Sequence, residues 1–255
     1  MFYKKLSLFL VIFVLSTPQA HAFLGFTVKS AIAKSAKVLP DAEIIRLSKI
    51  SDEVHGTARV GKELGEFNLP DEVLEDAFLR IAIHQGKITR ETSEKMFSRL
   101  NGVPGFRTTL RKVIGNSDIG TVGHLNELEI ADTAAMNGFK VLGIGEKFVD
   151  GLKKAPTDID ILLNRGVKSF AIEAKSYAST TKMPIDKFRA DLDTLVIYKN
   201  QSTDNVVPIF TITNKPDDIR YLEMLQHESD KRGVQLIFGS PQSQIEQIKM
   251  LGDIL

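Results

Sequence analysis

The sequence predicts an α/β protein with a mixed central sheet flanked by helices, following an N-terminal helical region. Within residues 157–177, apolar and polar residues alternate in two short runs. This alternation is typical of strands, because successive strand side chains point to opposite faces. Two later apolar runs, 206–213 and 234–238, alternate with segments of helical spacing, a pattern that indicates a sheet covered by helices.

Length and composition are those of an ordinary globular protein. The chain has 255 residues, of which 43% are hydrophobic and 25% charged. That length suffices for one large domain, or for a small domain with an appendage. The formal charge is +1, so any affinity for nucleic acid must come from a local basic patch. The absence of cysteine excludes disulfides, thiolate metal sites and a cysteine nucleophile.

Residues 1–22 are predicted to be a secretory signal peptide. Two lysines precede the apolar run 6–15, and Ala20-His21-Ala22 has the small-x-small form of a cleavage site. The run is short for a membrane span, although an uncleaved N-terminal anchor is the alternative. We therefore expect an exported protein, periplasmic or secreted, with no stable membrane insertion after cleavage. The mature chain would carry a formal charge of −1, because the signal contains two lysines and no acid.

Residues 23–116 are predicted to form the N-terminal helical region. Residues 23–37 fit either an extended lead-in or a weakly amphipathic helix. Pro40 and Asp41 favour the start of a helix that runs to about residue 50, since proline and an acid suit the first turn. The polar, glycine-containing stretch 51–68 predicts a linker.

The rest of this region contains a helical hairpin and a basic cluster. Apolar residues recur at helical spacing through residues 69–100, and Thr89 is placed to cap the second helix. Arg107, Arg111 and Lys112 then follow within six residues. Such a cluster fits contacts with backbone phosphates, and the alternative is a solvated helix face.

Residues 117–255 are predicted to form the second domain, with the order α-β-β-β-α-β followed by α-β-α. Its first strand is expected at residues 139–144. The glycine-containing stretch 143–156 predicts a loop or turn, since it lacks the Gly-Lys-Ser/Thr ending of a nucleotide-binding loop. Asn164-Arg165-Gly166 carries the turn chemistry expected between the two strands of the 157–177 hairpin.

Charged side chains of this hairpin are expected to share one face. The period of two places Asp158 with Asp160 on the first strand, and Glu173 with Lys175 on the second. If the two faces coincide, carboxylates that can hold a hard divalent cation meet an ammonium that can position water. The alternative is a half-buried strand with a solvated polar face, in which cross-strand charge pairs are ordinary.

This arrangement resembles the PD-(D/E)xK nuclease superfamily, which has the restriction-endonuclease-like fold. The matching residues are Asp160 within TDIDIL and the Glu173-Ala174-Lys175 triplet, thirteen residues apart from Asp160 to Glu173. Glu127, eleven residues before a glycine that ends its helix, matches the glutamate that the family places on the preceding helix. The resemblance covers roughly residues 123–238. An Asp precedes Ile159 where the family has a simple Pro-Asp pair, which leaves a role for Asp158 open.

The resemblance implies a metal-dependent endonuclease that hydrolyses phosphodiester bonds in DNA or RNA. It implies Mg²⁺ as the cofactor, with Mn²⁺ as the alternative, and Asp160, Glu173 and Glu127 as metal ligands. Lys175 would activate the water or stabilise the phosphorane, and Glu129 is an alternative to Glu127. Related domains occur as exported toxins, so we expect an effector or envelope nuclease that has an inhibitor or immunity protein as a partner. The residues expected to bind substrate are Arg107, Arg111, Lys112, Lys182 and Lys187.

Two other functions remain open from the sequence. The first is a non-catalytic envelope binding or interaction protein on the same fold, with residues 23–116 as its binding part. The second is another metal-dependent hydrolase, of the phosphatase type. The lack of a histidine-rich ligand set argues against it, since His84, His124 and His227 have no metal-ligand spacing. These histidines are expected at the surface or, hydrogen-bonded, in the core.

Overall fold

The computed structural model describes residues 38–53, 56–66, 69–115, 118–149, 151 and 156–253. The predicted signal peptide, its cleavage site and the segment 23–37 lie outside the described residues, so the expectations for them stay predictions. No helix within the described residues is long and apolar enough to cross a membrane.

The described chain contains five strands and a series of helices that precede, connect and follow them. From residue 118 onward the observed order is α-β-β-β-α-β-α-β-α, as predicted. The helices are α1 Asp41–Ser51, α2 Gly56–Glu66, α3 Asp71–His84, α4 Arg90–Leu100, α5 Phe106–Gly115, α6 Asp118–Met136, α7 Ile185–Gln201, α8 Ile219–Arg232 and α9 Pro241–Asp253. The strands are β1 Lys140–Phe148, β2 Thr157–Arg165, β3 Lys168–Lys175, β4 Val206–Ile212 and β5 Gln235–Phe238.

The strands form one mixed sheet in the order β1-β2-β3-β4-β5. The β1–β2 and β2–β3 pairs are antiparallel, and the β3–β4 and β4–β5 pairs are parallel. Helices connect the parallel strands, because a parallel connection needs a long crossover. The predicted fold class, a mixed sheet flanked by helices, is confirmed.

Helices cover both faces of the sheet. On one face, α7 and α8 pack through a cluster that contains Phe188, Phe210 and Leu225. The rings of Phe188 and Phe210 meet edge to face, with their centroids 4.8 Å apart. On the other face, α6 and α9 share a single hydrophobic cluster with the helices before residue 116, and this cluster includes Leu47 and Phe170. The N-terminal helices therefore share one hydrophobic core with this face of the sheet.

A close backbone contact joins the N-terminal helices to the first strand. The Ile144 N–H donates to the carbonyl of Pro104 at 2.9 Å. Gly105, at the start of α5, has φ +84°, and a Cβ there would lie 1.7 Å from the carbonyl oxygen of Ile144. Only glycine fits such an approach, and it brings α5 against β1.

One local prediction in the N-terminal half was wrong. The stretch 51–68 is not a linker throughout, because residues 56–66 form α2. Val60 and Leu64, four residues apart, bury their side chains on one face of this helix. The predicted helical hairpin is confirmed, with Thr89 accepting a hydrogen bond from the Thr92 N–H at 3.1 Å as the N-cap.

The limits of the first two strands also differ from the prediction. β1 continues to Phe148 through residues that predicted a loop, with a shift of register between Val141 and Gly143. That irregularity and the glycines hid the strand pattern, since glycine is typical of turns and bulges. The hairpin turn is Gly166-Val167, because β2 extends through Arg165, which lies opposite Lys168.

Candidate active site

At the end of the hairpin away from its turn, β2 and β3 separate, and the carboxylate of Asp160 lies between them. The last register pair is Ile161 with Ile172. One step further, the Ala174 N–H donates to Oδ2 of Asp160 at 2.8 Å. A side-chain carboxylate thus accepts a hydrogen bond at the place where the two strands part. Among the described residues, no hydrogen bond reaches the other oxygen, Oδ1.

The second strand of the hairpin contributes a carboxylate and an ammonium on the same face. The Lys175 ammonium donates to Oε1 of Glu173 and lies 3.7 Å from Oδ2 of Asp191 on α7. Its Nζ is 5.9 Å from the centre of the Phe210 ring, a favourable cation–π distance. Both Glu173 and Lys175 are largely buried, with side chains 10% and 15% exposed. The predicted sharing of one strand face is confirmed.

The fourth side chain comes from α6. Oε1 of Glu127 lies 3.0 Å from Nδ1 of His124, one helical turn earlier. The adjacent Asn126 contacts Oγ1 of Thr213 through Oδ1 at 3.4 Å, and the Thr213 N–H donates to the carbonyl of Lys175 at 3.0 Å. This chain of contacts fixes α6 against the end of β3 and so holds Glu127 beside the strands.

Acidic groups outnumber cations in this cluster. Burial raises the pKa of Asp160 well above its ordinary value, and Glu173 and Glu127 add to the rise while Lys175 opposes it. Burial also raises the pKa of Glu173, against the influence of Lys175. Burial alone would lower the pKa of Lys175, but Glu173, Asp160 and Asp191 raise it above its usual value. The Glu127, Glu173 and Lys175 side chains thus all lie close enough to Asp160 to influence its pKa.

The two acids that the sequence left open have other neighbours. Asp158 is opposite Lys147 of β1. Desolvation and the nearby Asp132, rather than the acids of the hairpin, raise the pKa of Glu129. Glu127 and Glu129 are two residues apart on one helix and therefore point to different sides. Glu127 is the one that acts on Asp160.

The residues predicted to bind substrate fall into two groups. Lys187 donates to Oδ2 of Asp191 at 3.0 Å and opposes the rise in the pKa of Glu173, so it borders the site. Lys182 pairs with Asp218 at 2.5 Å.

The other three predicted residues lie on α5. Arg107 pairs with Asp71 at the start of α3. Arg111 is exposed and its stem lies near Gly61 of α2, and Lys112 is partly buried.

Sequence reasoning missed three residues beside the site. Asp191 follows Lys187 by four positions on a predicted helix, and this i,i+4 spacing could have paired them. His124, expected at the surface or in the core, faces Glu127 at i,i+3 spacing. Asn126 is buried, and its Nδ2 has no hydrogen-bond partner among the described residues. No local pattern singles out Asn126.

The charge balance of the cluster suits a divalent cation. Asp160, Glu173 and Glu127 supply hard oxygen donors, and the Lys175 ammonium donates to one of them, Glu173. No group of three or more His, Asp or Glu side chains in the described part of the chain already has the spacing of a metal site. Mg²⁺ commonly binds through one or two carboxylates and keeps several waters. Two carboxylates with solvent therefore fit this ion without a closed cage.

No family model, curated protein or solved structure matches the chain.

Proposed function

We propose that this protein is a metal-dependent nuclease that hydrolyses phosphodiester bonds in DNA or RNA. The observation that carries the proposal is the convergence of Asp160, Glu173 and Lys175 where β2 and β3 part, with Glu127 beside them. Buried titratable groups with shifted pKa values are typical of functional sites. In this cluster the acids also outnumber the cations. The order of elements from α6 to β4, which resembles a restriction-endonuclease-like core, supports the same proposal.

Each residue has a separate task in this proposal. Asp160 and Glu173 hold Mg²⁺ or Mn²⁺, and Glu127 completes the site or orients water. The bound cation supplies a Lewis acid that neutralises phosphoryl charge and lowers the pKa of water. The Lys175 ammonium, kept charged by its acidic neighbours, stabilises the negative charge that develops on the phosphoryl oxygens.

We also propose where the enzyme acts and which molecules it binds there. Residues 1–22 predict export to the periplasm or the medium. An exported nuclease needs an inhibitor or immunity protein in any cell that it could damage. Arg107, Arg111, Lys112, Lys182 and Lys187 would contact the phosphate backbone, a role suited to arginine and lysine.

A cleavage assay with three substrates tests the proposal. The mature protein is incubated with plasmid, single-stranded DNA and tRNA, each with Mg²⁺, with Mn²⁺ and with a chelator. We expect cleavage of at least one substrate with metal and none with chelator. Cleavage that survives chelation would overturn the metal-dependent mechanism. Lack of cleavage of every substrate would favour the non-catalytic binding protein.

A matched pair of variants on α6 tests the site. Glu127→Gln should lower cleavage because Glu127 acts on Asp160. Glu129→Gln, two residues away on another side of the helix, should cut like the wild type. Equal activity of the two variants would show that Glu127 is not part of the active site.

A further inference from the structure

The Lys175 ammonium has two carboxylate neighbours, and they lie on different elements. It donates to Glu173 on its own strand, and Oδ2 of Asp191 on α7 is 3.7 Å away. The side chains of Lys175 and Asp191 are 15% and 18% exposed. Solvent therefore screens their attraction less than it would at the surface. Lys175 can exchange one acidic partner for the other with a small movement of its Nζ.

The contact with Glu173 conflicts with metal binding at the same carboxylate. A divalent cation on Glu173 would lie close to the ammonium that Oε1 now accepts from. Like charges a few ångströms apart repel strongly where the effective dielectric constant is low. Lys175 therefore has to leave Oε1 when a cation binds. An ammonium that leaves its partner in a largely buried site needs another acceptor.

We propose that Asp191 is a positioning residue that takes the Lys175 ammonium from Glu173 and so frees Glu173 for a divalent cation. This inference rests on the proposed function, because it requires Glu173 to be a metal ligand. In the metal-bound protein Lys175 keeps an acidic partner and stays beside the site. Asp191 thus contributes to metal affinity without touching the metal.

The surroundings of Asp191 suit this role. Lys187, one turn earlier on α7, donates to both carboxylate oxygens of Asp191, at 3.0 and 3.2 Å. These contacts hold the carboxylate in place. The Lys187 side chain is 52% exposed, and exposed ion pairs are weak. Asp191 therefore remains a good acceptor for the more buried Lys175.

Calorimetric titration with Mn²⁺, without nucleic acid, tests the inference. In Asp191→Asn, the acids that remain beside Lys175 are the proposed metal ligands Glu173 and Asp160, so we expect the Kd for Mn²⁺ to rise roughly tenfold. Asp191→Glu retains the charge and should keep the Kd within about threefold of wild type, since less than 0.7 kcal/mol changes. The matched control is Asp193→Asn on the same helix, whose carboxylate pairs with Arg232. It should bind Mn²⁺ like the wild type.

A second background separates positioning from general loss of negative charge. In Lys175→Gln the competing ammonium is gone, so adding Asp191→Asn should change the Kd little. An equal loss in both backgrounds would overturn the inference, because Asp191 would then act through simple long-range attraction. Thermal unfolding of each variant verifies folding, and Asp191→Ala carries the same expectation if the amide variant is insoluble.

The titration distinguishes the two proposals. A wild-type protein that binds Mn²⁺ while Asp191→Asn binds equally well overturns the role of Asp191 alone. A folded wild-type protein that binds no Mn²⁺ overturns the metal site, and the role of Asp191 with it.

Discussion

Two clusters of charged side chains in this protein differ in their balance of acids and cations. In the first, on α7 and α8, Glu228 accepts hydrogen bonds from Arg189 at 2.7 Å and from Arg232 at 2.6 Å. These two guanidinium groups lower the pKa of Glu228 to about 2. In the second, at the end of the hairpin, burial and neighbouring acids raise the pKa values of Asp160 and Glu173. In the first cluster the arginines neutralise the carboxylate. In the second cluster the carboxylates outnumber the cations.

The difference separates a structural role from a functional one. A carboxylate held by two arginines has its charge neutralised within the protein. A group of buried carboxylates that outnumber the lysines beside them is poorly neutralised and gains from an added cation. Shifted pKa values occur in both kinds of cluster, so the direction of the shift carries the information. The following predictions test this contrast, from the largest expected effect to the smallest.

Removing one charge from the hairpin cluster should abolish most of the cleavage. Asp160→Asn, Glu173→Gln and Lys175→Ala should each lower metal-dependent cleavage by about a hundredfold or more, the scale for losing one electrostatic group in a site. Because the residues act as one unit, the Asp160→Asn/Glu173→Gln double variant should be little worse than either single one. Initial rates on the best substrate measure this. Near wild-type rates in a folded Asp160→Asn or Glu173→Gln would refute the assigned site.

Metal should stabilise the folded protein through the same cluster. At a metal concentration of 100 times the Kd, binding adds about 2.7 kcal/mol to the free energy of unfolding. Thermal unfolding with and without Mg²⁺ measures the gain as a rise in Tm. Asp160→Asn should lose most of it, whereas Glu228→Gln should retain it. A wild-type Tm that does not depend on metal or chelator contradicts the prediction.

Removing the acid from the arginine cluster should destabilise the protein. Glu228→Gln leaves Arg189 and Arg232 without their shared carboxylate, so its Tm at neutral pH should fall below that of wild type. Glu223→Gln, on the exposed side of the same helix, is the control and should leave the Tm nearly unchanged. Equal melting of the two variants would show that the Glu228 contacts do not contribute to stability.

The two clusters should respond to pH with opposite sign. The lowered pKa of Glu228 means that its stabilisation is full above the ordinary value, 4.5, and is lost as pH falls through about 2. The deficit of Glu228→Gln should therefore shrink toward pH 2. The raised pKa of Asp160 means that its ionisation costs stability above its ordinary value, 3.8. With a chelator present, Asp160→Asn should gain Tm relative to wild type as pH rises from there.

The basic cluster on α5 should affect the affinity for nucleic acid more than the rate of cleavage. Replacing Arg107, Arg111 and Lys112 by alanine should weaken nucleic-acid binding and flatten its salt dependence, since fewer counterions are released. Arg107 already pairs with Asp71, so its single variant should have the smallest effect of the three. Lys95→Ala, on α4, is the control. A triple variant with the wild-type salt slope would refute this role.

Much of the fold could be predicted because its signals are local. Alternation at period two revealed β2 and β3, and helical spacing revealed the α3–α4 hairpin together with its Thr89 cap. The predictions failed where glycine was common. The sequence predicts a linker where α2 forms, and a loop where the second half of β1 lies. In both cases packing against neighbouring elements outweighed weak local propensity.

Which residues share a face within one element follows from the order of the residues alone. Glu173 and Lys175 are two positions apart on a strand, so they meet wherever that strand lies. The sequence also sets the absence of cysteine, which excludes thiolate chemistry, and the near balance of total charge, which leaves any nucleic-acid affinity to a local basic patch.

Which other elements bring charged groups to that face depends on the packing of helices against the sheet. The docking of α6 places Glu127, rather than Glu129, within reach of Asp160. The packing of α7 on β3 gives Lys175 its second acid, Asp191. Both contacts join residues far apart in the chain. Their geometry depends on how helices pack across a sheet, and the period of a single helix or strand does not specify that packing.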